Sequence, residues 1–255
     1  MFNLEQFDIK LDTDIIGRNF IYCEEIESTN NFLLNSKEYN TEGTVLFAEY
    51  QTKGKGRKDR TWISNNAQNL TFSILLKESF IYSKPNVLNL ASSMAVASSI
   101  ENLFQLKTNL KWPNDVLVNE KKISGILLES VSTGKKMEKI VLGIGINVNQ
   151  PSFQGKFNFT PTSIKQEYRK EVEREYLLSE VLNNLEELLF TAKDNPEKII
   201  NDWKNKSRFL GEKVKVQDGD NLKYGLFEEV DENGFMLLRT ATALETIYCG
   251  DVSQL

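Results

Sequence analysis

The chain contains no histidine. Ser-His-Asp triads, Cys-His dyads and histidine-ligated metals are therefore excluded together, and any proton transfer must run through carboxylates, lysines, tyrosines, cysteines, water or a substrate. Cysteine is almost as scarce. Cys23 and Cys249 are too few and too isolated for a disulfide framework or a zinc cluster. No apolar run approaches the ~20 residues that span a bilayer. The opening MFNLEQFDIKLDTD carries acidic side chains where an export signal needs a basic stretch and then an apolar one, so a reduced cytoplasm and no membrane are expected. Net positive charge is missing as well. The formal charge of -5 argues against a general nucleic-acid binder, which carries a basic surface to neutralise many phosphates.

Cationic residues are instead concentrated in one place. Gln51–Trp62, QTKGKGRKDRTW, threads Lys53, Lys55, Arg57, Lys58 and Arg60 through Gly54 and Gly56. Glycine permits positive φ and close approach of the backbone to a ligand, while ammonium and guanidinium groups donate charge-assisted hydrogen bonds to phosphate or carboxylate oxygens. The stretch reads as an anion cradle. Taken alone, a glycine-containing basic segment of this kind is more often a mobile surface loop, a nucleic-acid patch or a nuclear-import signal than a substrate clamp.

Periodicity places this loop between strands. Phe20–Glu24 reads as a strand leading into Ser28-Thr29-Asn30, a cap for a helix over Asn31–Ser36. Thr44–Tyr50 and Asn69–Leu76 read as the strands that anchor the loop. After Pro85, Val87–Phe104 has helical spacing with many small residues, as expected of a helix packed closely on a sheet. Leu110–Trp112, Val116–Val118, Ile123–Val131 and Lys139–Val148 follow as short strands between turns, which predicts a largely antiparallel meander. Glu175–Lys193 is an amphipathic helix and Pro196–Ser207 a second. From about Gly211 the pattern changes to short strands at Lys213–Gln217, Lys223–Val230, Gly234–Thr240 and Leu244–Gly250. The expected organisation is α+β, with residues 1–208 as one domain and 209–255 as a small barrel.

Two further segments carry polar groups at strand ends. In Lys111–Glu129, KWPNDVLVNEKKISGILLE, Pro113 holds Trp112 extended, so Asn114 and Asp115 open a turn. Strict alternation sets Lys122 on the face of Ser124, Ile126 and Leu128, an awkward place for a charge unless an anion meets it; Gly125 leaves room for close approach. Gly143-Ile144-Gly145-Ile146-Asn147 lacks the third glycine and helix of a dinucleotide fingerprint and reads as a strand passing under something.

Taken in order, Ser-Thr-Asn, the basic loop ending in Trp, Lys-Trp-Pro-Asn-Asp, Lys-Ile-Ser-Gly-Ile-Leu-Leu-Glu and Gly-Ile-Gly-Ile-Asn resemble the biotin protein ligase family. The resemblance covers most of residues 20–150, and GDVSQL looks like the family's closing segment. It implies a class II synthetase-like core with a mixed, largely antiparallel sheet, a C-terminal SH3-like β-barrel, ATP and biotin as substrates, and Mg²⁺ to hold the phosphates. Biotinyl-5′-adenylate would form first, and biotin would then pass to a lysine of a biotin carboxyl carrier domain. By motif position, Ser28, Thr29, Asn30 and Gln51 would bind the ureido end of biotin. Lys55, Gly56 and Arg57 would fold over its carboxylate and the adenylate phosphate, Lys122 would grip the carboxyl oxygen, and Gly125 would admit the ligand. Trp62, Asn114 and Asn147 would serve the nucleotide. Arg57, Lys122 and Asp115 are the expected catalytic residues, Asp115 as the one motif carboxylate placed to take a proton from the acceptor amine; no protein metal ligands are implied.

The loop departs from the family's Gly-Arg-Gly-Arg-x-Gly-Arg at Lys55 and at Asp59. A lysine keeps the charge and loses the planar fork. A lipoate-type ligase shares the adenylate chemistry, and some family members are biotin-responsive DNA-binding repressors. Only ~20 residues precede the first core strand, fewer than a winged helix-turn-helix needs, so no DNA partner is expected. Monomer and homodimer are both compatible with the resemblance.

Overall fold

Strand-forming segments rich in β-branched and aromatic residues assemble, in a computed structural model that describes residues 2–78, 83–134 and 136–255, into one seven-stranded sheet. Its strands are β1 (Phe20–Ile26), β2 (Val45–Gln51), β3 (Leu70–Leu76), β4 (Thr108–Lys111), β5 (Asp115–Val118), β6 (Lys121–Thr133) and β7 (Lys136–Ile146). They lie in the order β1-β2-β3-β7-β6-β5-β4. Only β1 and β2 are parallel; the other neighbours are antiparallel, as the meander predicts. A parallel pair needs a crossover, and its helix is the short α2 (Thr29–Asn35), with Ser28 as N-cap.

The two faces of the sheet differ in chemistry because alternate residues point to opposite sides. Val45, Phe47, Phe72, Ile74, Ile126, Leu142 and Ile144 belong to the large core under the helices. Those helices are α1 (Leu4–Lys10), which the periodicity does not predict, α3 (Pro85–Phe104), the short α4 (Ile164–Tyr168), α5 (Arg174–Asp194) and α6 (Pro196–Lys206). Small residues such as Ala91, Ala95 and Ala97 bring α3 close to the sheet, and α5 packs against α3. Each large side chain buried there contributes about 1.5–3 kcal/mol. Leu46, Leu75 and Val141 point to the other face, where they form a small second cluster with Leu33 of α2, edged by Ile21, Cys23, Ile26, Leu34 and Tyr39. Beyond that cluster the face carries Thr71, Ser73, Gly143, Gly145 and Gly125. It is left open for a ligand.

A β-bulge corrects the alternation expected for Lys122. Val116 pairs with Ser124 but Leu117 pairs with Lys122, so Ile123 is the extra residue. The backbone of Lys122 is held instead by residues 160–162: its N–H donates to Thr160 O at 2.8 Å and its carbonyl accepts from Thr162 N at 2.8 Å. Ile123 drops into the core and Lys122 turns to the open face, beside Gly125 and not with Ser124, Ile126 and Leu128. A bulge of this kind re-aims a side chain.

The C-terminal segment forms an antiparallel five-stranded sheet of β8 (Lys213–Asp218), β9 (Asn221–Val230), β10 (Met236–Arg239), β11 (Leu244–Ile247) and β12 (Asp251–Gln254), in the order β11-β10-β9-β8-β12. The stretch expected as one strand over 244–250 ends at Ile247, and β12 returns to pair with β8. Val214, Val216, Phe227, Leu238 and Val252 fill its interior. Lys215, Gln217, Asp251 and Ser253 alternate with them and face the open side of the large sheet.

Candidate active site

The open face, the basic loop, residues 153–161 and the C-terminal sheet enclose a cavity of about 660 Å³. That volume suits a small-molecule or cofactor site. Ser28, Thr29, Asn30, Gln51, Lys55, Gly56 and Arg57 all line it, as do Trp62, Asn114, Asp115, Lys122, Gly125 and Asn147. The residues singled out in the sequence thus come together around one space.

One wall is neutral and almost fully buried. It begins at the helix start, where the exposed N–H groups of a first turn need acceptors. Ser28 caps α2, and Gln51 at the end of β2 turns its Oε1 to the Thr29 N–H at 2.8 Å and the Thr29 hydroxyl at 3.1 Å. Behind them Ser73 of β3 places its hydroxyl 2.6 Å from Thr29 Oγ1 and 2.5 Å from Asn30 Oδ1. Asn30 completes the chain by donating through Nδ2 to Glu129 Oε2 at 2.9 Å. The strand under this wall must be bare. A Cβ at Gly143 would stand 2.3 Å from Asn30 Oδ1, and one at Gly145 would stand 2.4 Å from the Trp62 ring. These glycines are what Gly-Ile-Gly-Ile-Asn passes under: Asn30 at one and Trp62 at the other.

The opposite end is cationic. Asp115 binds Lys122 at 2.6 Å and Lys111 at 3.2 Å. Burial opposes ionisation of its carboxyl, but the Lys122 and Lys111 ammoniums prevail and hold its pKa well below the usual carboxylate range. A carboxylate so engaged is a weak proton acceptor, which counts against Asp115 as the base. It fits better as the anchor that aims Lys122. Arg57 donates to Asn114 Oδ1 at 3.0 Å, and Asn114 is itself fixed by donating to Ile126 O at 2.6 Å. Burial draws the pKa of the Arg57 guanidinium down, with the Asp251 and Asp115 carboxylates acting the other way. Such a cation gains from an anionic ligand.

The loop itself is docked. Gly56 N–H donates to Arg60 O at 2.6 Å and Trp62 N–H to Gly54 O at 3.0 Å, closing it into a hairpin. The positive φ falls on Lys58 (54°) and Asp59 (57°) and not on the glycines. Position 59 is the one where the family pattern has glycine, and aspartate tolerates the left-handed region better than most residues. Gly54 is needed for space, since a Cβ there would lie 2.5 Å from Trp62 O. Lys58 pairs with Asp218 at 3.0 Å and Arg60 with Asp251 at 2.7 Å, so strands β8 and β12 hold the loop. Lys55 turns to Asn31 Oδ1 at 2.6 Å and to Glu129 at 3.5 Å. Its charge is occupied within the protein.

Several contributors escaped the sequence reading. Ser73 and Glu129 sit in strands read as plain sheet; the polar Thr71–Ser73 alternation inside NLTFSILL was the available signal for the first. Phe153, Lys156 and Phe157 bound the cavity from a segment without strand or helix periodicity, and Lys111 lies 5.0 Å from the Phe159 ring centroid. Among the described residues that line the cavity, two buried polar atoms have no partner: Trp62 Nε1 and Asn147 Oδ1. An unpaired buried donor or acceptor costs about 1–3 kcal/mol, so both invite a ligand. Among the described residues no group of three or more carboxylates or cysteines is placed to hold a metal. No helix among them is long and apolar enough to cross a membrane.

Comparison with known proteins places the chain among relatives with named activities. Residues 22–147 match the Biotin/lipoate A/B protein ligase family and residues 209–254 the Biotin protein ligase C terminal domain. The bifunctional ligase/repressor BirA of Bacillus spizizenii is 30% identical over 248 residues, covering 95% of this chain and 76% of that protein. The biotin–[acetyl-CoA-carboxylase] ligase of Mycobacterium tuberculosis is 28% identical over 219 residues, covering 84% of this chain and 80% of that protein. A solved structure of biotin protein ligase from Aquifex aeolicus in complex with biotin and ATP is similar with a TM-score of 0.81 at 32% identity, covering 92% of this chain and 98% of that one.

Proposed function

The chain belongs to the biotin/lipoate A/B protein ligase family, and we propose from that premise that it works as a biotin protein ligase, an ATP-dependent, AMP-forming enzyme. It joins biotin to ATP as biotinyl-5′-adenylate with release of pyrophosphate. It then transfers biotin to a lysine of a biotin carboxyl carrier domain. The observation that carries the choice of biotin over lipoate is the neutral wall. Thr29, Asn30, Gln51 and Ser73 form a chain of buried polar groups that a cyclic urea, with one carbonyl and two N–H groups, can satisfy. A dithiolane offers no N–H or carbonyl to the remaining lone pairs and donors of that wall, so it gains none of the polar contacts a urea makes there.

In the first step a biotin carboxylate oxygen attacks the α-phosphorus and the bond to pyrophosphate breaks. Two anions must meet, and charge builds on the phosphoryl oxygens in the transition state. Arg57, a half-buried cation, and Lys122, aimed across the bulge by Asp115, supply the compensating charge. Asn147 Oδ1, an acceptor without a partner, suits the exocyclic amine of adenine, with Asn114 and Trp62 beside the nucleotide. The cavity residues do not themselves form a cage for Mg²⁺, which would travel on the nucleotide phosphates with few protein ligands. In the second step the acceptor amine attacks the carbonyl carbon of the mixed anhydride and AMP leaves. The anhydride is already activated, and Asp115 serves that step by holding Lys122 on the carbonyl oxygen; the amine proton leaves to water or to the phosphate of the departing AMP.

We divide the chain into a catalytic domain, 1–208, and a C-terminal domain, 209–255, whose outer face closes the cavity. Two free cysteines, Cys23 and Cys249, suit a reducing compartment, and we place the protein in the cytoplasm. Pyrophosphate exchange into ATP, run with biotin or with lipoate, tests the assignment, together with the mass of a carrier domain after incubation with biotin and MgATP. Exchange with biotin alone and biotin-sized mass gain on one lysine are expected. Exchange with lipoate and none with biotin would overturn it.

A further inference from the structure

Glu129 touches the neutral wall and the basic loop without lining the cavity. It lies in β6, and its two oxygens face different donors: Oε2 accepts from Asn30 Nδ2 at 2.9 Å, and Oε1 lies 3.5 Å from Lys55 Nζ. With both oxygens turned to donors, the carboxylate is used purely as an acceptor.

An asparagine amide presents an oxygen on one side and an NH₂ on the other, and its orientation is set by its neighbours. Around Asn30 every neighbour agrees. Glu129 requires the nitrogen on its side, and Leu127 O lies 3.5 Å from the same nitrogen. Ser73 donates to Oδ1 at 2.5 Å from the other side. The bare backbone at Gly143 leaves no room for the amide to swing down, since a Cβ there would touch all three amide atoms, at 2.3 to 3.0 Å. Asn30 is 4% exposed. The second lone pair of its oxygen is thereby aimed at the cavity, where a urea N–H needs an acceptor. Reversed, the amide would set N–H against N–H.

We propose that Glu129 is a positioning residue for urea recognition, which fixes the polarity of the Asn30 amide from behind the wall; this rests on the biotin ligase reading. The hydrogen bond through Lys55 is longer and more exposed, and it ties the basic loop to the same carboxylate. Polarity, rather than contact with the ligand, is what Glu129 contributes.

The test compares wild type with Glu129→Ala, Asn30→Asp and the double variant Asn30→Asp/Glu129→Gln in biotin-dependent pyrophosphate exchange, with biotin and ATP varied in turn. Wild-type exchange with biotin is the control for the reading on which the inference rests; its absence would sink both. With it present, removing the acceptor in Glu129→Ala should raise KM for biotin by ~30-fold while KM for ATP and the melting temperature barely move. Asn30→Asp sets two carboxylates together and should raise KM for biotin by ~100-fold. Pairing that aspartate with a glutamine donor restores a hydrogen bond of fixed polarity, so the double variant should recover about tenfold of the loss. A biotin KM unchanged in Glu129→Ala, a parallel rise in KM for ATP, or a double variant no better than Asn30→Asp would each overturn the inference. Should Glu129→Ala fail to fold, the recovery in the double variant decides alone.

Discussion

On the α2 side the cavity is bounded by neutral side chains that water scarcely reaches, with Ser28, Thr29 and Asn30 at 2%, 3% and 4% exposure, whereas on the loop side it is bounded by cations such as Lys55 and Arg60 whose side chains are 43% and 42% exposed. Thr29 and Asn30 are bonded into one chain through Gln51, Ser73 and Glu129. The loop cations are held in exposed ion pairs, Lys58 and Arg60 with Asp218 and Asp251 of the C-terminal sheet and Lys55 with Glu129. Burial therefore decides what a contact is worth here, and formal charge decides much less. A neutral hydrogen bond inside the wall has no water to replace it, while an exposed ion pair competes with hydration and salt. The wall is preformed for its ligand; the loop holds provisional partners that an anionic ligand can displace.

The sharpest probe of this contrast is Asp115, which is ionic like the loop yet buried like the wall. Asp115→Asn should lower adenylate formation by ~10³-fold through a misaimed Lys122 and lower folding stability by about 3 kcal/mol, because Lys111 and Lys122 are left near one another without their counter-charge. Its pH dependence has a defined sign. A carboxyl whose folded pKa is depressed contributes stability above its unfolded pKa and loses it as the pH falls towards the folded one. The gap between wild type and variant should stay constant from about pH 8 to about pH 5 and shrink only below about pH 4, as read from denaturant midpoints. A gap that closed near neutrality would remove the Lys111–Asp115–Lys122 account.

Gln51→Leu is the next largest. It leaves the Thr29 N–H without its acceptor and should raise KM for biotin by ~10- to 30-fold, a loss of about 1.5–2 kcal/mol. The ratio should be the same at low salt and in about 0.5 M salt, since no charge is involved. Salt sensitivity would blur the contrast between wall and loop.

Arg60→Ala should do least. The Arg60–Asp251 pair bridges the loop and β12, and as an exposed pair it contributes under about 1 kcal/mol. A two- to fourfold faster loss of adenylate at low salt, vanishing in about 0.5 M salt, is expected in a filter-retention assay. A large, salt-independent effect would mean that the C-terminal sheet positions the loop as rigidly as β2 and β3 position Gln51 and Ser73.

Much of this site is legible in residue order, because its signals are local. Ser28 announces a helix cap, and QTKGKGRKDRTW announces an anion loop. Alternation finds β2, β3 and β7 to within a few residues. The missed parts are those whose meaning depends on a partner far along the chain. Glu129 is an ordinary strand residue until α2 lies beside it, and β12 is a short tail until it pairs with β8. Asp115 reads as a base until Lys111 and Lys122 close on both of its oxygens.

What the amino-acid order determined by itself is the class of chemistry: no imidazole, one dense cluster of cations, a mixed α+β pattern, and glycines where a strand must lie bare. Tertiary structure decided which way those groups point. Lys122 is the clearest case, since alternation sends it to the helix-covered face and a bulge, held by residues 160–162, sends it to the ligand. Alternation is a property of one strand, whereas a bulge belongs to the pairing between segments.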